Sequence, residues 1–265
     1  MYGTVIDVEE LAPNLVRVVL GGAGLADFVA PEATDAYINA AFPPTDAPYD
    51  APFNLDDVRE LPQSQRPYRR RYTVRRWDPE RRQLTIDFVT HGDEGIGGAW
   101  ALNARLGDAL VFQGPGGNYR PDPVADWHLF AGDESALPAI AASLEALPAG
   151  VRAIARIVIE SPDHQIPLET PADLDLVWLY RRNAANASGL LLDAVHALDG
   201  YKGRCHAFVH GEAEEIRAVR RHLLTERGLT REDLSCSPYW RRTLNDEAWR
   251  RIKRDWAAEV ERDIA

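Results

Sequence analysis

"WHLFAGDESALPAIAASLEAL", residues 127–147, is where the chain changes period. Residues 127–132 read as a strand, a tight turn follows, and 134–147 carry apolar residues at helical spacing. Before this stretch the chain reads almost wholly as strands. After it, strands and helices take turns, the pattern of parallel βα units. The fold expected is therefore a β domain followed by an α/β domain.

Working back from the pivot, segments 4–11, 15–22, 36–43, 70–77, 83–92 and 108–117 alternate or run apolar between turn residues. "DPERR" joins 70–77 to 83–90 as a hairpin. Six such strands predict a closed barrel or a sandwich, and a six-stranded antiparallel β-barrel is the form expected. The proline-rich 43–67 reads as a long loop, and "GIGGAWALNA" (95–104) as a short helix reached through glycines. Working forward, strands are expected at 151–160, 174–181 and 205–211, and helices at 188–198 and 212–227. A C-terminal amphipathic helix spans 245–265, with Trp249 and Trp256 seven apart on one face. The polar, proline-bearing stretch 118–126 separates a domain at 1–122 from one at 123–265.

Composition narrows the function. The 265 residues carry a net charge of −11, which argues against nucleic acid and other extended polyanions. Nearly all of the basic charge is arginine, Lys202 and Lys253 being the only lysines, so an arginine cluster such as "RPYRRRYTVRRW" (66–77) reads first as compositional bias. The start has no basic n-region or apolar h-region, and no run approaches eighteen apolar residues, so a cytoplasmic protein without a membrane span is expected. Cys205 and Cys236 show no metal-ligand spacing and read as reduced thiols. His206 and His210 read as core or solvated histidines, and no protein metal site is expected.

Within the arginine cluster, i and i+2 share a strand face. Arg70 and Tyr72 thus point together, a guanidinium beside a ring, suited to a phosphate next to a planar heterocycle. The glycines before 99–104 expose helix N–H groups to an anion. "LFAGDESALPAI" (129–140) places a turn at the end of a first parallel strand, where a dinucleotide would sit, though without the usual glycine fingerprint. Asp133 and Glu134 read as helix N-terminal caps.

Five stretches, "RRYTVRRWD" (70–78), "DFVTHGDEGIGGAWA" (87–101), "GDALVFQGPGGNY" (107–119), "LFAGDESALPAI" (129–140) and "YWRRTLNDEAW" (239–249), resemble in order the siderophore-interacting protein family. These are flavin-dependent ferric-siderophore reductases, distantly related to ferredoxin-reductase-type flavoproteins. The resemblance implies that Arg70 binds flavin phosphate, that Tyr72 stacks on the isoalloxazine and that Thr73 lies near its N5 edge. It implies that Val89, His91 and Gly92 line the ribityl and adenosine portions, and Gly97, Gly98, Ala99 and Trp100 the phosphates. Asp133, Glu134, Ser135 and Ala136 fall on the nicotinamide-side motif, with serine where the family has threonine.

The C-terminal stretch departs from the family pattern by lacking both of its flanking glycines; Lys202, Arg241 and Arg242 are the candidates for cations that hold the chelate. The expected cofactor is FAD rather than FMN. The expected partners are a ferric siderophore and NAD(P)H, or a ferredoxin in its place; Arg181 and Arg182 mark where a 2′-phosphate would bind. No side chain is expected to be catalytic in its own right, since the flavin carries the redox chemistry. A general flavin or quinone reductase, and a non-catalytic flavin- or chelate-binding protein, are the alternative readings.

Overall fold

In the computed structural model, which describes residues 1–90, 95–199 and 202–263, the first strands follow the alternation of the sequence. β1 (Tyr2–Ala12), β2 (Leu15–Gly21) and β3 (Tyr37–Phe42) precede a short α1 (Leu55–Val58). β4 (Tyr68–Thr73), β5 (Arg76–Asp78), β6 (Gln83–Val89), α2 (Ile96–Asn103) and β7 (Ala109–Gly116) follow. They belong to the first of two compact units, Met1–Arg120 and Pro121–Ala265.

The first unit holds seven antiparallel strands in the order β4-β3-β7-β1-β2-β6-β5, not the six expected. The extra strand comes from a bend. The segment read as one strand over 70–77 pairs with β3 in its first half and with β6 in its second. Between them, Val74 N donates to Ala36 O (2.6 Å) and Arg75 N to Thr85 O (2.9 Å), so the chain itself crosses from one end of the sheet to the other. The result is barrel-like, but no ladder closes it. Val18, Leu20, Ile38, Leu84, Ile86, Phe88 and Phe112 fill the interior. On β6, Asp87 is buried between apolar neighbours and is held by a two-point bond from Arg17 (2.7 and 2.9 Å), its register partner on β2.

The loop 43–67 is less irregular than its prolines suggest. Asn54 caps α1 by accepting from Asp56 N (3.0 Å), a side-chain cap of the kind that starts helices at polar residues.

The second unit is built from β8 (Trp127–Asp133), α3 (Leu137–Glu145), β9 (Arg152–Ile159), β10 (Asp173–Tyr180), α4 (Leu190–His196), β11 (Cys205–Glu212), α5 (Ala213–Thr225), β12 (Leu234–Trp240) and α6 (Asp246–Arg262). All five strands are parallel, in the order β10-β9-β8-β11-β12. The order reverses direction between β8 and β11, which makes their carboxyl ends the switch point where open α/β sheets bind ligands. β12 escapes a periodicity search because "LSCSPYW" is half-polar and carries Pro238, tolerable only at a sheet edge. α6 packs back on its own unit. Trp249 and Trp256 are buried with Ala213 and Val260, their rings 5.5 Å apart, and Trp256 Nε1 donates to Glu214 (3.0 Å). Cys205 and Cys236 are free thiols, both pushed up to about 12 by burial.

Three histidines lie within this sheet. His206 Nδ1 accepts from Asp122 N (3.0 Å) and His210 Nε2 meets Ser235 Oγ (2.9 Å). His128, the cross-strand neighbour of His206, is fully buried, and neither ring nitrogen has a partner among the described residues. Burial holds His128 at about 4 and His210 at about 3. A histidine depressed in the folded state adds stability above its unfolded value of about 6.5 and loses it as pH falls. His128 therefore contributes a loss of up to about 1.4 kcal/mol per pH unit between roughly 6.5 and 4. Urea unfolding at pH 7.5 and 5.0 should show His128→Leu losing less stability on acidification than the parent; equal losses would contradict this.

Candidate functional site

Strand β4 brings two of the expected residues to one face. Arg70 and Tyr72 are half-buried and lie opposite Ala40 and Ile38 of β3, core positions. Thr73 points to the other face and is buried. Arg71, also on that other face, sits over the Tyr37 ring at 5.2 Å. Tyr72 leans on Phe88 of β6, with ring centroids 4.2 Å apart at 44°, and Trp100 of α2 completes an aromatic cluster with Phe42 and Phe88. Phe42 and Phe88 had no signal in the sequence beyond being apolar strand residues. Being only half-buried, Tyr72 leaves part of its surface for a planar ligand.

Helix α2 begins against this cluster. Gly95 precedes it at φ +82°, a conformation that favours glycine. A Cβ on Gly97 would lie 1.8 Å from Tyr72 Oη, and one on Gly98 would lie 3.2 Å from the Val89 carbonyl oxygen. The two glycines thus let the helix start rest on Tyr72 and on the end of β6. Among the described residues no side chain caps the helix, and no acidic residue stands in its first turn. A helix start without a cap presents N–H groups and the positive end of its dipole to an incoming anion. Arg70 adds a guanidinium on the neighbouring strand, with Nη1 bonded to the Arg69 carbonyl oxygen (3.0 Å). A glycine cradle, a ring and a cation on one side of one unit are residues that fit a flavin and its phosphates. Ala99 and Trp100 are half-buried in α2, and Val89 ends β6. His91 and Gly92 lie outside the described residues.

In the second unit, Asp133, Glu134, Ser135 and Ala136 form the turn after β8, at the switch point. The capping reading is overturned for both acids: α3 starts later, at Leu137, and its N-cap, Ala136, has no side-chain bond. Asp133 instead accepts four hydrogen bonds. Oδ1 takes Ser135 N (2.9 Å) and Ser135 Oγ (2.5 Å), and Oδ2 takes Glu212 N (2.8 Å) and Trp240 Nε1 (2.8 Å). Burial, then the charge of Glu134, raises its pKa. Glu134 is held by both terminal nitrogens of Arg181, at 3.0 and 2.7 Å. Glu215 on α5 is raised to about 7 by burial and by Asp133, against the opposing pull of Arg242.

The guessed cations do not form one site. Lys202 is exposed in the segment before β11, at the amino end of the sheet. Arg241 and Arg242 follow β12 at the carboxyl end, and each meets a carboxylate, Glu214 at 3.1 Å and Glu215 at 2.5 Å. Trp240, Glu212 and Glu215, which organise this end, were not singled out from the sequence; Trp240 lies in a quoted motif, the two acids in an ordinary charged helix start. His196, His222 and Glu226 bring possible ligand atoms within 4.8 Å of one another. Both His222 nitrogens are engaged there, Nδ1 with Glu226 (3.0 Å) and Nε2 by Arg227 Nε (3.1 Å), which reads as a staple between α4 and α5. No helix among the described residues is long and apolar enough to cross a membrane.

Residues 4–119 match the siderophore-interacting FAD-binding domain family, and residues 125–243 match the siderophore-interacting protein family. An uncharacterized protein of Mycobacterium tuberculosis is 40% identical over 266 residues, covering 96% of this chain and 94% of its own length. The ferric vibriobactin reductase ViuB of Vibrio cholerae is 35% identical over 245 residues, 90% of this chain and 88% of its own. Among solved structures, a siderophore utilization protein from T. fusca matches with a TM-score of 0.80 at 33% identity, over 93% of this chain and 94% of that one.

The contact of Gly97 with Tyr72 gives a test. Gly97→Ala should cost about 1–3 kcal/mol by overpacking, and the cost should be smaller in a Tyr72→Phe background, where Oη is gone. Urea unfolding of the four proteins measures the coupling; strictly additive effects would contradict the geometry.

Proposed function

The chain belongs to the siderophore-interacting protein family, and on that premise we propose that it is an FAD-dependent reductase of ferric siderophores. The observation that carries this reading is the glycine-built start of α2, without a side-chain cap among the described residues, lying on Tyr72, on the strand that also bears Arg70. FAD, when bound, supplies acceptance of a hydride and release of its two electrons singly. The start of α2 and Arg70 hold phosphate oxygens, and Tyr72 orients the planar ring by contact with its half-exposed surface. The Asp133–Ala136 turn is the docking place for the nicotinamide nucleotide, because it lies at the switch point of the parallel sheet. NAD(P)H is favoured over a ferredoxin on that ground.

The iron needs no ligand from the protein. Hard oxygen donors of the siderophore keep ferric iron and hold ferrous iron less well, so one-electron reduction is enough for release. Arg241 and Arg242 are placed to attract an anionic chelate, with their charge tempered by Glu214 and Glu215. Lys202, at the far end of the strands, would not share that chelate.

The test is anaerobic. Photoreduced holoprotein mixed with a ferric siderophore should show the flavin absorbance returning as ferrous iron appears in a ferrous-specific chelator. In steady turnover, two ferrous ions should form per NAD(P)H oxidised. Arg70→Ala and Tyr72→Ala should each weaken FAD binding at least tenfold. Reduced flavin that persists in the presence of the ferric siderophore would overturn the reading.

A further inference from the structure

We infer that the second unit is built for NADH and against NADPH, and that Glu160 and Glu134 are the residues that set this preference. The inference rests on the reductase reading above and deepens it by naming the nucleotide.

Arg181 and Arg182 follow directly after β10, where the sequence places a possible 2′-phosphate site. Arg181 is committed elsewhere, and Arg182 is turned toward an acid. Arg181 gives both terminal nitrogens to Glu134 (3.0 and 2.7 Å) and keeps a second carboxylate, Glu160, within 3.7 Å. Its remaining nitrogen, Nε, is buried and has no partner among the described residues, so Arg181 keeps no two-pronged donor face for a phosphate. Arg182 Nε is bonded to Glu160 Oε1 (3.3 Å), and its backbone N–H to the Glu160 carbonyl oxygen (2.9 Å).

Glu160 stands at the residue after β9, the second strand of the parallel sheet and the neighbour of β8. In doubly wound dinucleotide folds an acid roughly 20 residues beyond the first turn accepts from the ribose 2′-hydroxyl, while a nearby arginine accommodates a 2′-phosphate. This chain has the acid, and it has committed the fork of Arg181 to Glu134 and Nε of Arg182 to Glu160. A 2′-phosphate brought to the ends of β9 and β10 would meet the Glu160 and Glu134 carboxylates, which hold Arg181 by both terminal nitrogens and Arg182 by Nε. A ribose hydroxyl would meet an acceptor on Glu160, whose side chain is 37% exposed.

Two measurements test this on the flavin-loaded protein. In steady state, kcat/KM for NADH should exceed that for NADPH at least tenfold. By calorimetry, without turnover, NAD+ should bind more tightly than NADP+. Glu160→Gln should move both ratios toward the phosphorylated nucleotide at least fivefold, and Glu134→Gln with Glu160→Gln further still. Glu160 is partly exposed, so the single variant keeps the test open if the double variant fails to fold. A parent that prefers NADPH overturns the inference, and so does a folded Glu160→Gln whose ratios stay within twofold of the parent's. These results leave the reductase reading standing. A protein that binds no flavin, or whose reduced flavin ignores the ferric chelate, overturns the reductase reading first and the nucleotide preference with it.

Discussion

One buried carboxylate ties the second unit together at the switch point of its parallel sheet. Asp133 ends β8, and its two oxygens collect the turn that leads to α3, the backbone where β11 meets α5, and the indole at the end of β12. Three neighbouring strands thus share one acceptor. A buried carboxyl is costly unless its lone pairs are used, and here four donors use them. Because the same group fixes the turn, the end of β11 and the last strand, the carboxyl edge of the sheet is a rigid platform. Glu212 continues the pattern by capping α5 through Oε2 and accepting Arg242 N through Oε1.

The first unit is organised by a different constraint, the bend at Val74 and Arg75. It lets one stretch of chain pair with β3 and then with β6, which brings the two ends of the sheet together. The half that pairs with β3 carries Arg70 and Tyr72 inward at a core register, and α2 is laid across the aromatic cluster that results. Fold closure and the proposed flavin cradle therefore depend on the same few residues.

Much of this was legible in the sequence. The change of period at 127–147 divides strands from βα units, and the pairing of Trp249 with Trp256 seven residues apart gives the buried face of α6. Period-two spacing puts Arg70 and Tyr72 on one face, as the register with β3 has it, while their flavin roles come from the family resemblance. The failures have physical causes. A bend within a strand leaves alternation intact, so the seventh strand was invisible. β12 is an edge strand with little burial, and its composition carries little signal. Asp133 and Glu134 sit where caps belong, but three-dimensional partners, Trp240 and Arg181, claim their oxygens. Sequence spacing shows which residues share a face; it does not show which of 30 basic and 41 acidic residues have neutralised one another.

The fit of Gly97 under Tyr72 has an evolutionary side. With so little room between a helix backbone and a phenol, these two positions cannot drift independently. A descendant that gains a side chain at 97 must first, or at once, shrink or turn the residue at 72, and the aromatic face is lost on the way. Across diverged sequences the two columns should therefore change together or not at all. Small-beneath-aromatic at this spacing is then a two-residue signature of the cradle, more discriminating than either residue alone.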